Sequence, residues 1–114
     1  MIKEFHNLDE IQKYYDKESN TYVFKEYGTY INLIVFNFDL NVEANIYAWN
    51  IYAKNINAKD ISALSINANN ISYYEVCYAY KYIKCHSIKG RKHNSKHFVL
   101  DGHIYINGTI EKTK

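Results

Sequence analysis

Isoleucine returns at every fifth position through the middle of the chain, in the stretch "NIYAWNIYAKNINAKDISALSINANNIS". The series consists of Ile46, Ile51, Ile56, Ile61, Ile66 and Ile71. Alanine follows two residues later, at Ala48, Ala53, Ala58, Ala63 and Ala68. A period of five residues fits neither an α-helix nor a flat β-strand. Five residues turn a side chain about 140° around an α-helix, and in a flat strand they move it to the opposite face.

The period becomes regular if the chain turns a corner after each unit. Isoleucine and alanine, two residues apart, then point inward together, and the residue between them points outward. Four such units would close a square coil of about 20 residues, with turns stacked about 4.8 Å apart like strands in a sheet. Such a coil would place Tyr47 beside Asn67, and Tyr52 beside Ser72. We therefore predict a mainly β fold, a short right-handed quadrilateral β-helix or solenoid with an N-terminal helix and hairpin cap.

The residues that precede the isoleucines support corners. They are Asn45, Asn50, Asn55, Asp60, Ser65 and Asn70, whose short side chains bond to nearby backbone in turns. After Ile71 the repeat decays and returns shifted by two residues, as "IKCHSIKG". Cys85 then occupies an alanine position, which predicts a small buried residue. The shift predicts a bulge or loop near "YYEVCYAYKY".

The flanking segments predict caps for an open solenoid end. In "NLDEIQKYYDKES", Asn7 and Glu10 indicate a capping box, and Leu8, Ile11 and Tyr15 share one helical face. A hairpin near Gly28 follows.

We expect one domain, residues 1–114, in three parts. Residues 1–41 form the capping helix and strands, residues 42–90 the five-residue-repeat coils, and residues 91–114 a basic loop with terminal strands.

Charge and aromatic residues suggest where a partner would bind. The net charge is only +2, but residues 76–100 contain six basic residues and no acid. Tyrosine is frequent, with 13 residues, and exposed aromatic and basic side chains are typical of interfaces. The candidate partner-binding residues are Lys84, Lys89, Arg91, Lys92, Lys96, Tyr74, Tyr80, Tyr82 and Trp49. A basic stretch can also be a solvated edge.

No motif indicates catalysis. His93 and His97 lie four residues apart and could bind zinc with Cys85 or His103, but the segment does not read as a helix and lacks the acid of a zinc protease. Neither a phosphate loop nor a nucleophile elbow is present. We expect no enzyme activity, no cofactor and no metal. The polar N-terminus and the absence of a long apolar run predict a cytoplasmic protein.

The repeat from Val42 to about Gly90 resembles the pentapeptide-repeat proteins, in its period and in the Asn or Asp before the large residue. It differs in placing the small residue two after, rather than two before, the large one. That resemblance implies the right-handed quadrilateral β-helix. Residues 71–104 resemble a tail that follows five-residue repeats in small uncharacterised proteins of Firmicute phages and mobile elements. This second resemblance implies a rigid, non-enzymatic binding protein.

Three functions remain open at this point. The first is a phage or mobile-element inhibitor that sterically blocks a host defence protein, for example a CRISPR effector. The second is a nucleic-acid-binding module that uses the basic face. The third is a self-assembling solenoid, and a homodimer is compatible with all three.

Overall fold

A computed structural model of the protein describes residues 2–111, which form a β-solenoid of about four turns. Strands of successive turns pair in parallel and build three sheet faces along the solenoid axis. The predicted mainly β solenoid is therefore confirmed.

The chain begins with β1 (Ile2–Phe5), a 3₁₀ helix (Leu8–Tyr14) and an irregular entry turn of β2 (Tyr15–Asp16), β3 (Thr21–Val23), β4 (Lys25–Glu26), β5 (Thr29–Tyr30), β6 (Leu33–Phe36) and β7 (Leu40–Asn41). Turn 1 contains β8 (Asn45–Tyr47), β9 (Asn50–Ala53) and β10 (Asn55–Asn57). Turn 2 contains β11 (Ile61–Asn67) and β12 (Asn70–Tyr73), and turn 3 contains β13 (Val76–Cys85) and β14 (Ser87–Gly90). Turn 4 contains β15 (Lys96–Val99) and β16 (His103–Ile106), which β17 (Thr109–Glu111) joins in antiparallel pairing.

Each complete turn passes through the three faces in the same order. Face B contains β3, β8, the first half of β11, the first half of β13, and β15. Face A contains β1, β6, β9, the second halves of β11 and β13, and β16. Face C contains β7, β10, β12 and β14. Because β11 and β13 run from face B into face A, these two faces form one continuous sheet.

The number of sides differs from the quadrilateral prediction. Ile46 pairs with Ile61 on face B, and Ile56 pairs with Ile71 on face C, each 15 residues later. Three five-residue units, not four, therefore close a turn. The repeat fixes the length of one side, whereas pairing between turns decides how many sides close the coil. The right-handed sense of the coil stays a prediction.

The interior is the column of isoleucine and alanine that the repeat predicts. All six isoleucines of the repeat are at most 2% exposed, and its five alanines at most 6%. In turn 3, Cys77, Ala79, Ile83 and Cys85 continue the column, so the burial predicted for Cys85 is confirmed. The predicted bulge is also present, since the register of β11 and β13 shifts between Ala63 and Ser65.

The corner residues bond to the next turn, which differs from the expected bonds to nearby backbone. The side chain of Asn45 accepts a hydrogen bond from the backbone N–H of Asp60 at 3.1 Å, and that of Asp60 from the N–H of Val76 at 3.1 Å. At another corner, the Asn70 amide donates to the Asn55 Oδ1 at 2.8 Å. These bonds run along the axis and hold neighbouring turns in register.

The N-terminal helix is a 3₁₀ helix, and this changes its buried face. Ile11 and Tyr14 are buried together because residues three apart line up in a 3₁₀ helix, and this leaves Tyr15 outside the buried face. Leu8, at the first position of the helix, is exposed. The Asn7 side chain accepts from the Glu10 N–H as predicted, but the Glu10 carboxylate accepts from the N–H of residue 6.

An aromatic cluster packs at the first end of the solenoid, and a hairpin projects from the entry turn between β3 and β6. That the hairpin caps this end stays a prediction. The rings of Phe5, Tyr14 and Phe24 lie 5.2–5.8 Å apart. The hairpin between β4 and β5 turns at Tyr27 and Gly28, which have φ values of 52° and 80°. Two positive φ values are typical of a type I′ turn, so the hairpin predicted near Gly28 is confirmed.

The 15-residue period can be tested by duplication. A tandem duplication of residues 46–60 adds one complete turn and keeps every later strand on its own face. We expect this protein to stay folded, with cooperative thermal unfolding and a Tm no lower than that of the wild type, because the added turn buries more apolar surface. Duplication of residues 46–65 would move every later strand to the next face and should abolish cooperative unfolding. The reverse ranking, measured by circular dichroism, would contradict the three-sided register.

A second prediction concerns Glu26, whose pKa lies below its ordinary value of 4.5 chiefly because it accepts a 2.6 Å hydrogen bond from the Tyr14 hydroxyl. Lys3 and Lys13 lower this pKa further. A carboxyl group with a lowered folded-state pKa contributes stability above its unfolded pKa and loses it as the pH falls. Glu26→Gln should therefore destabilise the protein at pH 7, and its deficit should shrink below about pH 4.5. Glu18→Gln is the control, and an equal deficit at pH 7 and pH 3 in urea titrations would contradict this assignment.

Candidate partner-binding surface

A groove in two parts follows β11, one part on face B and the other on face A, and the two parts meet at Leu64. It forms because Ser62, Ser65 and Asn67 of turn 2 are smaller than the aromatic residues of turns 1 and 3 beside them. Its floor consists of Ser62, Leu64, Ser65 and Asn67. Its walls are the outward aromatic residues of turns 1 and 3, namely Tyr47, Trp49, Tyr52, Tyr78, Tyr80 and Tyr82. We call this surface the tyrosine groove.

Strand register places the walls directly beside the floor. On face B, Ser62 pairs with Tyr47 of turn 1 and with Tyr78 of turn 3. On face A, Asn67 pairs with Tyr52 and with Lys84. The groove has a volume of about 220 Å³ on face B and about 320 Å³ on face A. Leu64 lies at the corner and lines both parts.

Four of the six wall rings are exposed, and the Tyr30 ring contacts two of these, Tyr47 and Trp49. Tyr52 is 55% exposed and Trp49 is 42% exposed. Tyr30 stacks on Tyr47 with ring centroids 5.5 Å apart and planes 13° apart. A hydrogen bond with Tyr30 is the main cause that raises the pKa of Tyr47. Rings that are ordered before binding lose less conformational entropy when a partner arrives.

The charge around the groove is positive. The Lys25 Nζ lies 5.1 Å from the Tyr30 ring centroid, and the Lys84 Nζ lies 5.4 Å from that of Tyr82. Lys81 lines the face A part. Within residues 2–111, no carboxylate side chain lines either part of the groove.

The structure gathers most of the aromatic residues that the sequence predicted for partner binding. Trp49 and Tyr80 line the groove on face B, and Tyr82 lines it on face A. Tyr74 is exposed at a different corner, after β12.

Four further aromatic residues of this surface are absent from the predicted set, namely Tyr30, Tyr47, Tyr52 and Tyr78. Outward alternation marked Tyr47 and Tyr52, but the 20-residue coil paired them with Asn67 and Ser72, which are not their partners. Only the 15-residue register shows that Tyr47 and Tyr78 flank one residue.

The basic residues predicted for partner binding do not form one stripe. Lys84 lies on face A, Lys89 on face C and Lys96 on face B, because successive segments of a three-sided coil point in different directions. The Lys92 Nζ lies 3.0 Å from the Glu75 carboxylate, and this hydrogen bond raises the pKa of Lys92.

Arg91 binds the solenoid itself. Its guanidinium donates hydrogen bonds of 2.7 Å to the Asn57 side chain, the Ser72 hydroxyl and the Ala58 carbonyl. These acceptors belong to turns 1 and 2, or to the corner after β10, whereas Arg91 directly follows β14 of turn 3. Arg91 therefore fastens three turns together along face C.

His97 and His103, two of the candidate zinc ligands, lie on different faces of the solenoid. His97 is on face B, with its Nδ1 2.8 Å from the Tyr73 hydroxyl, while His103 is on face A. In the part of the chain that the structure describes, no three His, Cys, Asp or Glu side chains come together as a metal site. The corner hollow of about 580 Å³ between faces A and C contains one histidine, His86, and no acid among its lining residues.

Over the same described residues, no helix has the length and apolar character needed to cross a membrane.

Comparison with known proteins adds no relative. No protein-family model matches the chain, and searches of curated proteins and of solved structures gave no match.

The role of Arg91 can be tested by substitution. Arg91→Lys keeps the positive charge but loses the planar fork that reaches three acceptors, so we expect the free energy of unfolding to fall by about 1–2 kcal/mol. Lys89→Ala, at an exposed position on the same face, should change it by less than about 0.5 kcal/mol. Urea unfolding measures the free energy of unfolding of both variants. Equal losses in the two variants would show that the three Arg91 hydrogen bonds do not stabilise the fold.

Proposed function

We propose that this chain is a non-enzymatic binding protein that holds a partner protein in the tyrosine groove and blocks that partner sterically. The observation that carries the proposal is the gathering of six aromatic side chains on both sides of β11, four on face B and two on face A. Tyrosine and tryptophan dominate interface hot spots because they bury a large area and keep a polar group for hydrogen bonding.

The same geometry favours a protein partner over nucleic acid. Binding to a phosphate backbone depends on a continuous set of free cationic groups. Here the basic residues are divided among three faces, and two of them, Arg91 and Lys92, already have partners within the chain. The aromatic residues lie on two of those faces, on both sides of β11.

The biological setting of the proposal rests on the resemblance of residues 71–104 to phage and mobile-element proteins. In that setting the partner is a host defence protein, with a CRISPR effector as one candidate, and the protein acts in the cytoplasm of the host cell. A homodimer is compatible with this function, provided that the groove stays open.

The test is affinity capture with groove variants. Tagged protein is incubated with a lysate of a low-GC Gram-positive bacterium that carries defence systems, with and without nuclease, and captured proteins are quantified by mass spectrometry. We expect one stoichiometric protein that survives nuclease. The double variant Trp49→Ala, Tyr52→Ala should reduce its recovery at least tenfold, because truncating hot-spot aromatics costs about 2 kcal/mol or more.

Tyr27→Ala is the matched control, because Tyr27 is fully exposed at the tip of the hairpin. Recovery should be unchanged in this variant. Recovery that disappears with nuclease would assign the protein to nucleic acid. Equal recovery by the double variant and the wild type would overturn the groove as the binding surface.

A further inference from the structure

A column of aromatic rings on face B is interrupted at one position. Tyr30 stacks on Tyr47 below the gap, with ring centroids 5.5 Å apart. Above the gap, Tyr78 packs on Phe98 with centroids 4.9 Å apart. The strand register places Ser62 between Tyr47 and Tyr78. The column thus consists of two ring pairs that are separated by a serine.

The strand spacing leaves room for about one ring in this gap. Neighbouring strands of a sheet lie about 4.8 Å apart, so Tyr47 and Tyr78 are separated by two spacings, or about 10 Å. A planar ring over Ser62 would lie about 5 Å from each neighbour, within the range of 4.5–7 Å that aromatic pairs prefer. This spacing also matches the distances within the two existing pairs. Ser62 is too small to fill the space that its neighbours leave.

The charge around the column indicates what kind of chain would deliver the ring. Lys25 lies against the Tyr30 ring at one end of the column, and Lys96 lies 5.5 Å from the Phe98 ring centroid at the other end. No cation lines the face B part of the groove itself, within the described residues. A nucleotide with its base over Ser62 would therefore hold its phosphates where no lysine lines the groove. A peptide can carry an aromatic ring at its centre and carboxylates several residues away, where they reach the two lysines.

We propose that the space over Ser62 receives the aromatic side chain of an acidic, extended segment of the partner protein. This inference rests on the proposed function and specifies the chemistry of its central contact. The ring completes the column from Tyr30 to Phe98, and acidic residues on both sides of it pair with Lys25 and Lys96.

The experiment uses a seven-residue peptide with blocked ends. Its central tryptophan is flanked on each side by one glycine and then by two aspartates. Nuclear magnetic resonance measures its binding to the full chain. We expect the tryptophan ring protons to move upfield, because they lie between two ring faces, and we expect binding to weaken with salt. The same peptide with leucine in place of tryptophan should bind at least about fivefold more weakly, since it loses both ring contacts.

Two substitutions test the position. Ser62→Tyr places a ring of the protein's own in the gap and should lower peptide affinity at least about tenfold. Asn41→Tyr adds the same ring at an exposed outward position of face C and is the matched control. Tyr78→Leu, which keeps an apolar wall without a ring, should reduce the upfield shift, because only the Tyr47 ring remains beside the tryptophan, in a variant whose circular dichroism matches the wild type.

Three results would overturn the inference. They are equal binding of the tryptophan and leucine peptides, unchanged binding to Ser62→Tyr, and tighter binding of a five-residue oligothymidylate that shows the same upfield shifts. Affinity capture distinguishes a failure of this inference from a failure of the proposed function. If Ser62→Tyr captures the partner normally while Trp49→Ala, Tyr52→Ala does not, only the inference about the gap is wrong. If both variants capture it normally, the proposed function is wrong as well.

Discussion

Parallel pairing between turns 15 residues apart is the constraint on which the rest of this structure depends. It places Ile61 directly beside Ile46, and Ile71 directly beside Ile56, so that each isoleucine of one turn packs on that of the next. Burial of these side chains is the main source of stability in a coil too narrow for a second large residue per side. Burial also fixes the register, since a slip of one residue would turn every isoleucine outward. The hydrogen bonds along the corners stabilise the same register.

The same register determines what the outer surface looks like. Outward residues at equivalent positions of successive turns lie side by side along the axis. Each turn therefore contributes one row of side chains to the outer surface. Turn 2 carries Ser62 and Asn67 where turns 1 and 3 carry tyrosine or lysine. A difference between turns thereby becomes a groove. The bulge opposite Leu64 lengthens turn 3 at the corner, where Tyr80 and Lys81 stand beside the groove.

Several features could be predicted because they depend on neighbours in the chain. The inward isoleucines and alanines, the hairpin at Gly28 and the buried Cys85 follow from spacing and turn chemistry alone. The helical face that contains Tyr14 was missed, because a 3₁₀ helix and an α-helix differ by less than one residue per turn. The role of Arg91 was also missed, since its acceptors are 19 to 34 residues away.

By itself, the sequence determined that the chain forms a solenoid with sides of five residues and an isoleucine and alanine interior. A repeat encodes the length of a side, because inward and outward positions alternate locally along the backbone. Only the tertiary structure decided that three sides close each turn, and therefore which residues become neighbours along the axis. The aromatic column around Ser62 and the scattering of the basic residues both follow from that closure, because contacts between turns are set by pairing across 15 or more residues and not by local pattern.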